Sequence, residues 1–155
     1  MINVPKRQER RLRLKRYVFD SFAILSYFYG QQGADKVERL LRALESNGKT
    51  TAWLNLINLG EIYYIISRNE GFDRADRAVA LTKKWPIDVL HPSEKLTLSA
   101  ARIKAGHPLS YADAFVVATA LEKEAIILTG DPEFKQLEDL VELEWLGPAT
   151  GRKHS

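Results

Sequence analysis

The chain contains no cysteine. That excludes disulfides, a thiolate nucleophile and a cysteine-ligated zinc site. It also has no apolar run long enough to span a bilayer and no stretch laid out as a secretory signal. The sequence therefore leads us to expect a cytoplasmic protein without a membrane partner. Histidine is scarce. His91, His107 and His154 fall in turn or tail contexts, so no Ser or Cys nucleophile has a plausible histidine base. There is no internal repeat. What is present is ordinary for a soluble domain: 155 residues, 45% hydrophobic and 28% charged, enough for one sizeable core.

The net charge of +3 is unevenly distributed. Residues 6–16, KRQERRLRLKR, hold seven basic side chains against Glu9 alone. Beyond them, the remaining 16 basic residues face 19 acidic ones. A basic arm over 1–16 thus precedes a mildly acidic domain over 17–146, and residues 147–155 read as a frayed tail. Arg10, Arg11, Arg13, Lys15 and Arg16 are candidate contacts to a nucleic-acid backbone. A solvated tail is the alternative reading.

Apolar periodicity and turn signals predict strands at 16–20, 50–54, 87–90, 125–130 and 141–146. They predict helices at 34–46, 55–68, 73–85, 93–106 and 111–123, and a short helix from Pro132. Residues 21–30 read as an apolar turn or helix. The alternation of strands and helices argues for an α/β fold of three layers, with helices on both faces of a mostly parallel sheet.

Three apolar segments each keep a single charge, always a carboxylate. Residues 17–34 hold only Asp20, residues 50–67 only Glu61, and residues 105–121 only Asp113. At average composition each would carry about five charges. A buried carboxylate is costly unless it is paired, hydrogen-bonded or bound to a metal. Chain geometry suggests that these acids meet. Asp20 ends the first strand, where ligands bind in open parallel sheets. The helix from Asp113 runs away for about 15 Å. The strand at 125–130 returns over about 17 Å, which brings Asp131 back to the level of Asp113. Ile57 and Ile65 flank Glu61 by one turn on either side, which puts it on or near an inward face, with Asn58 on the same side. Several carboxylates at one sheet end would repel, and a hard divalent cation, Mg²⁺ or Mn²⁺, would relieve the conflict. Ser21 and Asn58 are candidate supporting residues. Local readings compete with this one: Asp20 and Asp131 could be helix caps, and Ser110 is spaced to cap the helix that holds Asp113. Trp53, Trp85 and Trp145 read as core rather than as stacking platforms.

At YVFD, NLGE, SYADAFVVATA and LTGDPEF the chain resembles the PIN-domain superfamily. Within it, the chain is most similar to the VapC-type ribonuclease toxins, over roughly residues 16–146. The resemblance implies that Asp20, Glu61, Asp113 and Asp131 hold Mg²⁺ or Mn²⁺ for RNA cleavage, and that Thr129 orients a carboxylate or water. It further implies a homodimer and a cognate antitoxin. The family often has Asp two residues after the last acid. This chain has Glu133, which reads either as a first-turn acid or as an additional metal ligand. A haloacid dehalogenase-type phosphatase would need a second acid two residues after Asp20, where Phe22 stands. A non-toxin RNA-processing enzyme, or a non-catalytic RNA- or partner-binding PIN module, is the remaining alternative.

Overall fold

Short apolar runs bracketed by polar turns form five strands, and amphipathic or wholly apolar stretches between them form the helices. The structure is a computed structural model that describes residues 15–46 and 48–147. In chain order the elements are β1 (Lys15–Phe19), α1 (Ser21–Phe28), α2 (Ala34–Ser46), β2 (Thr50–Asn55), α3 (Leu56–Glu70) and α4 (Phe72–Lys84). They continue with β3 (Asp88–Leu90), α5 (Glu94–Gly106), α6 (Tyr111–Lys123), β4 (Ile126–Thr129), a 3₁₀ turn (Pro132–Leu137) and β5 (Leu143–Trp145). The apolar stretch after Asp20 is thus a helix. β1 takes in Lys15 and Arg16, the last two residues of the basic stretch, and Arg16 Nη1 donates to the Lys123 carbonyl at 3.1 Å. Arg10, Arg11 and Arg13, and the tail from residue 148, lie outside the described residues.

The strands form one sheet in the order β3-β2-β1-β4-β5, and every pairing is parallel. β5, expected as a half-exposed edge strand, takes the edge beside β4 and is partly buried throughout. Because strand side chains alternate between faces, the sheet feeds two cores. Tyr17, Phe19, Ala52, Leu54 and Leu128 point to one, which α1, α2, α3 and α4 cover. Val18 and Ile127 point to the other, which α5, α6 and the 3₁₀ turn cover. α6 is buried without interruption from Ala114 to Ala120. That explains its all-round apolar sequence and makes it a stiff mount for whatever sits at its start. Among the described residues, no helix is long and apolar enough to cross a membrane.

Candidate active site

From β1 the sheet grows one way to β2 and β3. From β4 it grows the other way to β5. The carboxyl ends of β1 and β4 therefore flank the crevice where strand order reverses, the usual ligand position in open α/β sheets. The register pairs Phe19 with Leu128, which sets Asp20 beside Thr129. Asp20 is 1% exposed. Its Oδ1 accepts from the Ala23 amide at 2.7 Å, capping α1, and its Oδ2 accepts from the Thr129 hydroxyl. Thr129 Oγ1 in turn accepts from the Asp131 amide at 2.9 Å. One buried hydroxyl thus ties the first acid to the backbone of the last.

The other acids are placed by helix starts. Ser110 caps α6 by accepting from the Asp113 amide at 3.1 Å. Asp131 caps the 3₁₀ turn, its Oδ1 accepting from the Glu133 amide at 3.0 Å. Asp20 and Asp131 are thus both helix caps, and both side chains also line the cleft that holds the other acids.

All five acids line a single cleft of about 290 Å³. Asp20, Glu61, Asp113, Asp131 and Glu133 share its wall with Ser21, Ser110, Phe22, Leu25 and Ile65, and none of these ten is cationic. Asp113, Asp131 and Glu133 come closest, each offering an oxygen within 4.8 Å of the others. Asp20 and Glu61 line the same cleft without joining that trio. Glu61 is half-buried near the inward face of its helix, but Ile57 is not the inward neighbour its spacing suggested. The core stripe of α3 is Leu59, Ile62 and Ile66, whereas Ile57 is 39% exposed. The Glu61 stripe lies beside the core face, and Ile65 one turn on forms part of the cleft wall.

The electrostatics reflect crowding without a counter-ion. Burial raises Asp20 from 3.8 to about 8, with smaller contributions from Asp113 and Asp131. The hydrogen bonds from Thr129 and Ala23 favour the charged form but do not offset the lost solvation. Asp113 is raised to about 7, first by burial and then by Asp131, Glu61 and Glu133, with the Ser110 contact acting the other way. An all-carboxylate donor set that resists full ionisation by itself fits a hard divalent cation such as Mg²⁺ or Mn²⁺. Asp113, Asp131 and Glu133 are placed to hold one.

Asn58 connects three of the acid-bearing segments. It is fully buried one turn before Glu61, and its Nδ2 donates to the Ala112 carbonyl at 3.1 Å, next to Asp113. Its own carbonyl accepts from Ser21 Oγ at 3.3 Å, next to Asp20. Its Oδ1 is buried with no hydrogen-bond partner among the described residues. Asn55, which the sequence reading passed over, caps α3 by accepting from the Ile57 amide at 2.9 Å. Its Nδ2 donates to Thr119 Oγ1 at 3.0 Å, cross-linking α3 to α6. A polar residue between a strand and a helix is an N-cap signature that could have exposed it. The three tryptophans are partly buried against the two cores, away from the cleft.

Comparison with known proteins bears on the fold and the family. Comparison with curated protein sequences gives no match. Among solved structures, the fold is similar to VapBC from Salmonella typhimurium in complex with DNA (TM-score 0.66, 16% identity, covering 86% of this chain and 100% of that one). It is also similar to VapBC2 from Rickettsia felis (TM-score 0.65, 17% identity, 83% and 97% covered). A third similar structure is VapC20 of Mycobacterium tuberculosis, described as a sarcin-ricin loop cleaving toxin (TM-score 0.62, 20% identity, 79% and 94% covered). A family model described as "PIN domain" matches residues 17–140, which takes in all five cleft acids, and the chain belongs to the PIN domain family.

Proposed function

We propose that this chain is a metal-dependent endoribonuclease, the toxin of a toxin–antitoxin pair, acting in the cytoplasm. The observation that carries the reading is the cleft itself: five carboxylates and, among the described residues, no cationic side chain in its lining, at the reversal point of a parallel sheet. Asp113, Asp131 and Glu133 would hold Mg²⁺ or Mn²⁺, with Asp20 and Glu61 completing the acidic surround. Such an ion supplies an activated water and a stabilised leaving oxygen for in-line attack on a phosphodiester. The chain's own residues do the positioning. Thr129 fixes Asp20 and the Asp131 backbone together, Ser110 fixes the start of α6, and Asn58 holds α3 against it.

The neighbouring folds occur in two-protein VapBC assemblies, which supports a cognate antitoxin as partner. Large apolar side chains left in solvent, Phe72 at 69% and Leu98 at 62%, are available to a partner or to a second copy in a homodimer. Light scattering that shows only monomer over a wide concentration range would remove the dimer from the proposal.

The central test is cleavage of total bacterial RNA by chelator-stripped protein after Mg²⁺ or Mn²⁺ is restored. Wild type should cut, whereas Asp20→Asn and Asp113→Asn should not. A metal-dependent rate that survives both substitutions would sink the site assignment.

A further inference from the structure

We propose that Phe22 is the residue on which a nucleobase beside the scissile phosphate stacks, a role that rests on the endoribonuclease reading above. Phe22 lies in the first turn of α1, two residues after Asp20, and lines the acidic cleft. It remains 38% exposed, unlike the core phenylalanines Phe19 and Phe134. Among the described residues no aromatic ring stacks on it. Its own ring is held in place from one side, because it rests directly against Gly130. A Cβ at that position would overlap the ring atoms, so only glycine lets the aromatic lie this close to the β4 exit. Gly130 stands between Thr129 and Asp131, and the ring is therefore fixed beside two of the groups that organise the acids.

The choice of a base as occupant follows from charge. Among the described residues, none of the ten that line the cleft is cationic, so none of them offers a phosphate an ion pair. An RNA strand entering such a cleft has two kinds of handle, a metal at its phosphate and its bases. Every phosphate in a strand has a base one sugar away, and every base has a π-face. Phe22, Leu25 and Ile65 make up the apolar part of the cleft lining, and Phe22 is its aromatic member among the described residues.

The test uses the full chain and a single-stranded RNA 12-mer carrying a cleavage site mapped from total bacterial RNA. A matched set replaces either nucleotide flanking the scissile bond with an abasic ribose. Phe22→Leu keeps apolar volume without a π-face, and Phe22→Tyr keeps the face. On the intact 12-mer, Phe22→Leu should lower kcat/KM about tenfold, the order expected for one stacked base, while Phe22→Tyr stays near wild type. One abasic substrate should lower the wild-type value by a similar factor. On that substrate Phe22→Leu should add nothing, the signature of a shared contact that a purely structural role would not give. A Phe22→Leu enzyme equal to wild type on the intact RNA, or one whose deficit persists undiminished on both abasic substrates, overturns the proposal and leaves the nuclease reading standing. A wild type that cuts no RNA with either metal overturns both.

Discussion

Asp20 and the Asp113–Asp131–Glu133 trio line one cleft but occupy different environments. Asp20 is sealed under α1, with both oxygens engaged by Ala23 and Thr129. The trio is more open, with Asp113 and Asp131 half-buried and Glu133 exposed, and its carboxylates crowd one another. The first acid is part of the fold, with its geometry fixed before any ligand arrives. The others form an anionic rim whose repulsion a bound cation would relieve. The two environments are therefore distinguished by their partners, hydrogen-bond donors on both oxygens of Asp20 and neighbouring carboxylates around Asp113, Asp131 and Glu133, although burial raises the pKa of Asp20 and Asp113 alike.

Substitutions can break this comparison, and the largest effect is expected at the rim. Asp113→Asn should reduce metal-dependent RNA cleavage by about 10²–10³-fold with the fold intact, as seen by steady-state kinetics and circular dichroism. A loss below tenfold would remove Asp113 from the proposed site.

The next effect is on stability. In the unfolded chain Asp20 titrates near the ordinary 3.8, and in the fold at about 8. Between those values the folded protein keeps a proton that the unfolded chain has released. Stability without metal should therefore fall as pH rises from about 4 to about 8. Asp113, raised to about 7, acts in the same direction over the lower part of that window. Thermal melts at pH 5 and pH 8 should show the decline. Mg²⁺ should reverse it at pH 8, and Asp20→Asn should flatten most of it. A flat wild-type profile would contradict the sealed environment assigned to Asp20.

Thr129→Val tests the hydroxyl that joins the two regions. It keeps the volume but removes the donor to Asp20 and the acceptor for the Asp131 amide. Metal affinity measured by calorimetry should weaken about 10–100-fold, as for other groups that orient ligands from behind. Glu133→Gln should have the smallest effect, a several-fold rise in the metal concentration needed for half-maximal cleavage, because Glu133 is the most exposed of the trio. If it matches Asp113→Asn instead, the rim is a three-ligand site of equal members.

Much of this was legible in the sequence, for reasons that also set the limits. Helix and strand periods place a residue on a face, and strand and helix lengths return Asp131 to the level of Asp113. Those are local rules, and they hold across all five strands and six helices among the described residues. The angular position of Glu61 was read less sharply. Ile57 looked like a core neighbour but is exposed, because the face of α3 turned to the core is the one that carries Asn58, Leu59, Ile62 and Ile66. Partners far apart in sequence were not legible. The contacts of Asn55 with Thr119, of Asn58 with Ala112 and of Phe22 with Gly130 depend on how elements pack, which no local spacing encodes.

The reversal of strand order between β1 and β4 has a consequence for biosynthesis. Asp20 is translated before Asp131 and Glu133, and β4, which leads into those later acids, can insert beside β1 only after everything between has been translated. A nascent chain therefore has no complete cleft until Glu133 has emerged from the ribosome. For a nuclease of the kind proposed, the five acids would therefore first meet only after β4 has been made and paired with β1.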